Sequence, residues 1–258
     1  MYTIKKGVEM MNNFQIVQHL KHLKLSGMAE NLELRLLEAQ NNGLSYSEFL
    51  GMLLEDESEK RTNRKIKRLI HQAGLEHAQT IENFDFSFNP NIPAQYIREL
   101  STCRFIDKGE NIFFLGPTGT GKTHLTQAFC INACRKHYKV GYFKFYQLFE
   151  QFKQAQMSDR LNRLINQLNK LDLLAIDDFA FRDISKQDAQ IFYALVDQRY
   201  KRKSMILNSN RDISDWINIF PDPIIANAIL DRLAHNAHQI VLKGESYRKK
   251  FRQFNEKI

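Results

Sequence analysis

The run Gly116-Pro117-Thr118-Gly119-Thr120-Gly121-Lys122-Thr123 has the residue types and spacing to hold a polyphosphate. It matches G-x-x-x-x-G-K-[ST] at every fixed position, a match that arises by accident in roughly one chain of this length in a hundred. Glycines let the backbone turn tightly enough for successive N–H groups to face phosphate oxygens, and a helix opening after the loop adds partial positive charge. The apolar residues 111–115 read as the strand before the loop, and 123–136 as the helix after it. Lys122 is expected to reach the outer phosphates, and the Thr123 hydroxyl to ligate a divalent cation. The ligand this predicts is ATP with Mg²⁺.

A cation so placed needs a carboxylate, and Leu173-Leu174-Ala175-Ile176-Asp177-Asp178 supplies two at the end of an apolar run. Asp177 is expected to hold the metal through its water shell, and Asp178 to act as general base on the attacking water. A third apolar run, Met205-Ile206-Leu207, ends in Asn208-Ser209-Asn210-Arg211. A polar residue there can touch the terminal phosphate or its water; Asn208 and Asn210 compete, and spacing does not choose between them.

These groups require a scaffold. Strands at 111–115, 140–145, 171–176, 204–207 and 238–242 alternate with helices at 123–136, 146–156, 160–169, 186–201 and 223–235. The alternation predicts an α/β fold, a parallel sheet covered by helices on both faces. Residues 94–258 form this predicted domain. Residues 12–73 read as a small helical domain, with Leu20, Leu23, Met28, Leu32, Leu36 and Leu37 on an apolar face. Gly43 breaks the pattern, and Ser45 with Glu48 forms a capping box that restarts it. Residues 74–93 read as a linker, in which Phe84, Phe86 and Phe88 suit an extended segment docked on a neighbouring surface.

The chain has 258 residues, 43% hydrophobic and 26% charged, with a net charge of +8. It lacks an apolar run long enough to span a bilayer and an apolar stretch typical of a leader, so a cytoplasmic protein with no membrane partner is expected. Met10-Met11 offers an alternative start. Cys103, Cys130 and Cys134 have neither disulfide-framework nor zinc spacing; Cys130 and Cys134 are expected to face the core together in a reducing compartment. The basic balance favours a polyanion partner. Six cations, Lys60, Arg61, Arg64, Lys65, Lys67 and Arg68, wrap a predicted helix. Few base-reading side chains accompany them, so they suit the phosphates of double-stranded DNA without strong sequence preference. Arg199, Lys201, Arg202 and Lys203, and the tail Arg248, Lys249, Lys250 and Arg252, are further basic clusters.

With these residues in hand the chain resembles the AAA+ helicase-loader clade, sharing GPTGTGKTH, LLAIDDF and the Asn-rich strand end. Within it the chain looks like the IstB-like ATPases, helpers of a family of bacterial insertion sequences. Ala226-Asn227-Ala228-Ile229-Leu230-Asp231-Arg232-Leu233, His235-Asn236-Ala237-His238 and Lys243-Gly244-Glu245-Ser246-Tyr247-Arg248 carry this narrower likeness. The resemblance covers about residues 12–250. It implies an AAA+ P-loop ATPase core, nucleotide contacts that extend to His124, and a nucleoid-associated ATPase that oligomerises on DNA and assists a transposase. It further implies an arginine acting in trans on a neighbour's nucleotide. Arg232 inherits that role, because Asn227 and Ala228 stand where loaders carry another Arg; Arg248 is a second nucleotide candidate. A DnaC-type helicase loader shares the same site chemistry, and an ATP-gated DNA clamp would use hydrolysis only to disassemble. A small-molecule kinase would need an acceptor pocket and lid that have no signature here. With 16 residues after Leu242, a DnaA-type DNA-binding domain is not expected.

Overall fold

The computed structural model describes residues 11–75, 79–89 and 92–247. Met10 of the alternative start and the basic tail from Arg248 onward lie outside these. The chain divides into two compact units, Met1–Lys67 and Arg68–Ile258.

The first unit is helical: α1 (Asn13–His22), α2 (Ser26–Asn42) and most of α3 (Tyr46–Gln72). The single helix expected before Gly43 is in fact two. The chain stops at Lys24, whose φ is +60°, and Leu25 N–H donates to Leu20 O at 2.8 Å. That pairing closes a helix, and the apolar residue following the left-handed position packs inward. Leu20 and Leu25 here join Met28, Leu32 and Leu53 in a small core. Leu23 and Leu37, expected on that face, are exposed. The capping box at the start of α3 forms as read: Ser45 N–H donates to Glu48 Oε2 at 2.8 Å, and Glu48 N–H to Ser45 Oγ at 3.3 Å. Arg35 clasps Asp56 through two hydrogen bonds of 2.7 and 2.9 Å, which holds the Asp56 carboxyl below its usual range.

The second unit has five strands: β1 (Asn111–Leu115), β2 (Val140–Lys144), β3 (Leu173–Asp177), β4 (Ser204–Ser209) and β5 (Ala237–Val241). All pair in parallel in the order β2-β3-β4-β1-β5. The expected α/β fold is present. The helices are α4 (Ala94–Leu100), α5 (Arg104–Asp107), α6 (Lys122–Arg135), α7 (Phe145–Met157), α8 (Leu161–Asn169), α9 (Lys186–Arg199) and α10 (Pro223–Ala234), with a 3₁₀ turn at Ile213–Ile219. Side-chain alternation sends neighbours to opposite faces. Phe113 meets Trp216 and Phe114 meets Phe129 of α6, so both faces are covered. Phe145, Phe149, Phe152, Phe179 and Phe192 extend the first cluster. Asp172, read as strand, instead precedes β3, where it pairs with Lys203 at 2.6 Å and accepts Lys139 N–H at 2.9 Å. Cys130 and Cys134 are buried as expected. Burial pushes the Cys134 thiol up to about 12.

The order matters for the site. β4 separates β1 from β3, so the carboxyl end of β4 lies between the two strand ends that carry the phosphate-loop and paired-aspartate motifs. In α/β sheets ligands bind at such carboxyl ends.

Candidate functional site

The loop 116–121 connects β1 to α6 as the motif requires. Gly119 (φ +85°) and Gly121 (φ +98°) take left-handed backbone, which side chains rarely adopt. Lys122 Nζ donates to Gly116 O at 2.7 Å and Pro117 O at 2.8 Å, so the ammonium lies within the loop's own curve. Thr120 Oγ1 closes the turn on Pro117 O at 2.9 Å.

Two remote segments grip this loop. From the carboxyl side, Leu242 N–H donates to Leu115 O at 2.7 Å and Tyr247 N–H to Gly119 O at 2.8 Å. A Cβ on Gly119 would stand 2.0 Å from Ser246 Oγ. The segment 242–247 is thus a strap across the phosphate loop. From the amino side, the Phe84 ring fills the space at Gly121, where a Cβ would meet it at 2.6 Å. His124 bonds Thr80 O at 2.7 Å and meets the Phe84 ring edge-on at 5.3 Å. Phe88 meets Tyr247 edge-on at 4.9 Å, which joins the two segments. Residues 79–89 are not the extended stretch expected; they turn repeatedly, because each phenylalanine docks on a different partner.

Together these walls enclose a cavity of about 710 Å³, within the roughly 300–1,000 Å³ of small-ligand sites. Its lining combines the apolar side chains of Phe84, Phe88, Ile92 and Tyr247 with the loop from Thr118 to His124, Asp177, Asp178 and Asn210. The aromatic wall was not anticipated as part of the site. Its only trace in the sequence was the alternation of Phe84, Phe86 and Phe88.

Thr123 Oγ1 donates to Asp177 Oδ1 at 3.1 Å. Tyr142 Oη donates to Asp177 Oδ2 at 2.5 Å. Burial, then the Asp177 charge, pushes the Tyr142 phenol well above its ordinary range. Asp178 follows in left-handed backbone, φ +54°, and lines the cavity. Its N–H donates to Asp177 Oδ1 at 3.1 Å and Asn208 Oδ1 at 2.9 Å. The Asn208 side chain is fully buried and bound to Thr126, whereas Asn210 is exposed and lines the cavity. Of the two competing asparagines, then, Asn210 faces the ligand space and Asn208 braces the aspartate turn.

Arg232 does not line the cavity. Its Nε donates to Asp197 of α9 at 2.8 Å and its guanidinium lies 5.0 Å from the Tyr193 ring centre. Along α3, Lys60 is paired with Glu30 and Arg61 with Glu57, while Arg64, Lys65, Lys67 and Arg68 are exposed, with no ion pair among the described residues. The second basic cluster needs correction at Arg199. This side chain is buried, and it donates to the carbonyls of Leu168, Leu171 and Ser204. Burial lowers it to about 10, and it offers nothing to a partner. Lys201 and Arg202 remain exposed.

Comparison with known proteins agrees with this geometry. Residues 18–254 match the family described as IstB-like ATP binding protein. The chain is 36% identical over 231 residues to the IS21 insertion-sequence ATP-binding protein of Pseudomonas aeruginosa, covering 90% of this chain and 87% of that one. It is 36% identical over 240 residues to the IS232 insertion-sequence ATP-binding protein of Bacillus thuringiensis, covering 93% and 96%. Among solved structures, the DnaC helicase loader superposes with a TM-score of 0.56 at 18% identity, covering 65% of this chain and 98% of that one. AMPPCP-bound DnaA from Aquifex aeolicus superposes with a TM-score of 0.56 at 24% identity, covering 71% and 55%. These two likenesses show an AAA+ fold. Among the described residues no helix is long and apolar enough to cross a membrane.

Proposed function

The chain belongs to the IstB-like ATP-binding proteins of insertion sequences, and from that premise we propose that it is a DNA-stimulated ATPase that assembles on duplex DNA and assists the element's transposase. The observation that carries the hydrolytic part is the convergence of Thr123, Asp177 and Asp178 on one cavity behind the phosphate loop.

The donor set suits Mg²⁺. Thr123 offers a hydroxyl and Asp177 a carboxylate, both hard oxygens, and among the described residues no cluster of three or more His, Cys, Asp or Glu could cage an ion. Mg²⁺ is commonly bound by one or two carboxylates together with substrate phosphates. When bound, it neutralises charge developing on the phosphates. The chain's own groups do the rest. The loop N–H groups and Lys122 bind the phosphates, with Lys122 exchanging its carbonyl partners for phosphate oxygens. Asp178 takes a proton from the attacking water, and Asn210 orients that water or the terminal phosphate. Arg232 acts on the nucleotide of a neighbouring copy.

Turnover measured with and without duplex DNA tests the reading. Lys122→Ala is expected to abolish ATP binding, and Asp178→Asn to keep binding while turnover falls about 10²–10⁴-fold, the usual worth of a general base. Unchanged hydrolysis by Lys122→Ala would sink the assignment. Capture of a replicative helicase rather than a transposase would redirect it to helicase loading, whereas DNA binding and function with a non-hydrolysable analogue equal to those with ATP would make it an ATP-gated clamp.

A further inference from the structure

We infer that Tyr142 is a positioning residue for the metal site: its phenol fixes the plane of the Asp177 carboxylate so that one oxygen stays aimed at the cation. The inference rests on the proposed Mg²⁺-ATP reading and deepens it.

Asp177 is 1% exposed and its two oxygens are used unequally. Oδ1 takes Thr123 Oγ1 and Asp178 N–H, each at 3.1 Å, while Oδ2 takes the Tyr142 hydroxyl at 2.5 Å. Binding of a cation by the Thr123 hydroxyl, with Asp177 holding it through a water, would draw the threonine oxygen toward the ion. Two of these donors remain, one on each carboxylate oxygen: the backbone of Asp178 and the phenol of Tyr142. Two donors on different oxygens oppose rotation about the Cβ–Cγ bond more strongly than one donor does.

Tyr142 is suited to this by its place in the fold. It sits on β2 opposite Ala175 of β3, and two residues further on Lys144 pairs with Asp177 itself. Donor and acceptor thus ride on neighbouring strands of one sheet, and the aromatic ring has only two torsions to lose. On the other side Gln127 of α6 reaches the phenol oxygen with its Nε2 at 3.5 Å, which turns the hydroxyl hydrogen toward Asp177. Partners that orient a metal ligand in this way typically carry 10–100-fold in metal affinity.

Tyr142→Phe removes the hydroxyl and keeps the ring. Binding of a fluorescent ATP analogue, titrated with Mg²⁺ and repeated in EDTA, separates the metal from the nucleotide. The Mg²⁺ concentration for half-maximal binding should rise about tenfold, while the affinity in EDTA stays within about twofold of the parent. Mn²⁺ electron paramagnetic resonance on the ATP complex should report the same loss without any turnover. An unchanged Mg²⁺ half-saturation overturns the role of Tyr142, as does an equal loss of affinity in EDTA, which would mark a merely structural residue. If the parent itself binds the analogue identically with and without Mg²⁺, the metal site falls and the Tyr142 inference falls with it.

Discussion

Asn208 holds Asp178 by its main chain. The buried asparagine accepts Asp178 N–H at 2.9 Å, while its own amide nitrogen donates to Thr126 Oγ1 of α6 at 3.0 Å. A second bond, from Phe179 N–H to Asn208 O at 2.7 Å, secures the next residue. The aspartate turn is left-handed at Asp178 and again at Ala180. Such backbone costs about 1–3 kcal/mol at a residue other than glycine and persists only where its surroundings over-determine it. Asn208 supplies two of those contacts, and Ser209 Oγ, which donates to Phe179 O at 2.7 Å, supplies another.

Asn208→Ala should therefore affect both stability and chemistry. It removes the nearer of two acceptors from Asp178 N–H and the amide that donates to the buried Thr126 hydroxyl, so unfolding in urea should show a loss of about 1–3 kcal/mol. Turnover should fall more steeply than ATP affinity, because the aspartate turn is loosened while the phosphate loop keeps its contacts. Loss of affinity with preserved turnover would contradict this division.

The strap predicts a remote effect on nucleotide binding. Gly244 has φ +136°, and a Cβ there would stand 2.1 Å from Asn89 Oδ1. Gly244→Ala should displace the strap from the loop and weaken ATP binding by about tenfold, some 1.4 kcal/mol. The exposed neighbour substitution Glu245→Ala should leave affinity unchanged. Isothermal titration of the two variants checks this; equal affinities would mean that the strap does not shape the loop.

Arg232 is tested by mixing. Since it lies outside its own chain's cavity, Arg232→Ala should bind ATP normally and lose about 10³-fold or more in turnover, as expected for an arginine acting in trans. Asp178→Asn should be inactive for the opposite reason. Mixed on DNA, the two variants should recover part of the activity, because some neighbouring pairs then combine an intact base with an intact arginine. No recovery, with turnover preserved in Arg232→Ala, would reduce Arg232 to a brace for α9 through Asp197.

The basic helix should divide by pairing. Changing Arg64, Lys65, Lys67 and Arg68 together to glutamine should weaken duplex binding and flatten its logarithmic dependence on salt by about 3–4, near 0.9 for each lost phosphate contact. Lys60→Gln breaks the pair with Glu30 and should change the stability of the helical unit more than the salt slope. A salt slope unmoved by the fourfold change would place the DNA contacts elsewhere.

What was legible in the sequence was local. The phosphate loop and the aspartate pair lie at strand ends, and their chemistry is complete within a few residues, so spacing alone reveals them. Tyr142 reads only as a strand residue until β2 and β3 are paired. The strap is visible as a family signature, but its purpose depends on Gly119 having no side chain where Ser246 arrives. Arg199 looks like surface charge because the carbonyls that bury it come from two other segments, the end of α8 and the start of β4. The stop at Lys24 was hidden because a lysine in left-handed backbone carries no compositional sign; the turn is imposed by the packing of Leu25.

The sheet order has a consequence for synthesis. β1 carries the phosphate loop, yet its partners on both sides, β4 and β5, come near the end of the chain, and the strap comes later still. On the ribosome, a chain that has emerged only as far as α9 holds the complete loop sequence with neither neighbour to set its shape. Nucleotide stabilises only a fold that can bind it. ATP therefore acts as a final fastening: it favours most the chain that has reached Tyr247, and it gives less help to a shorter one.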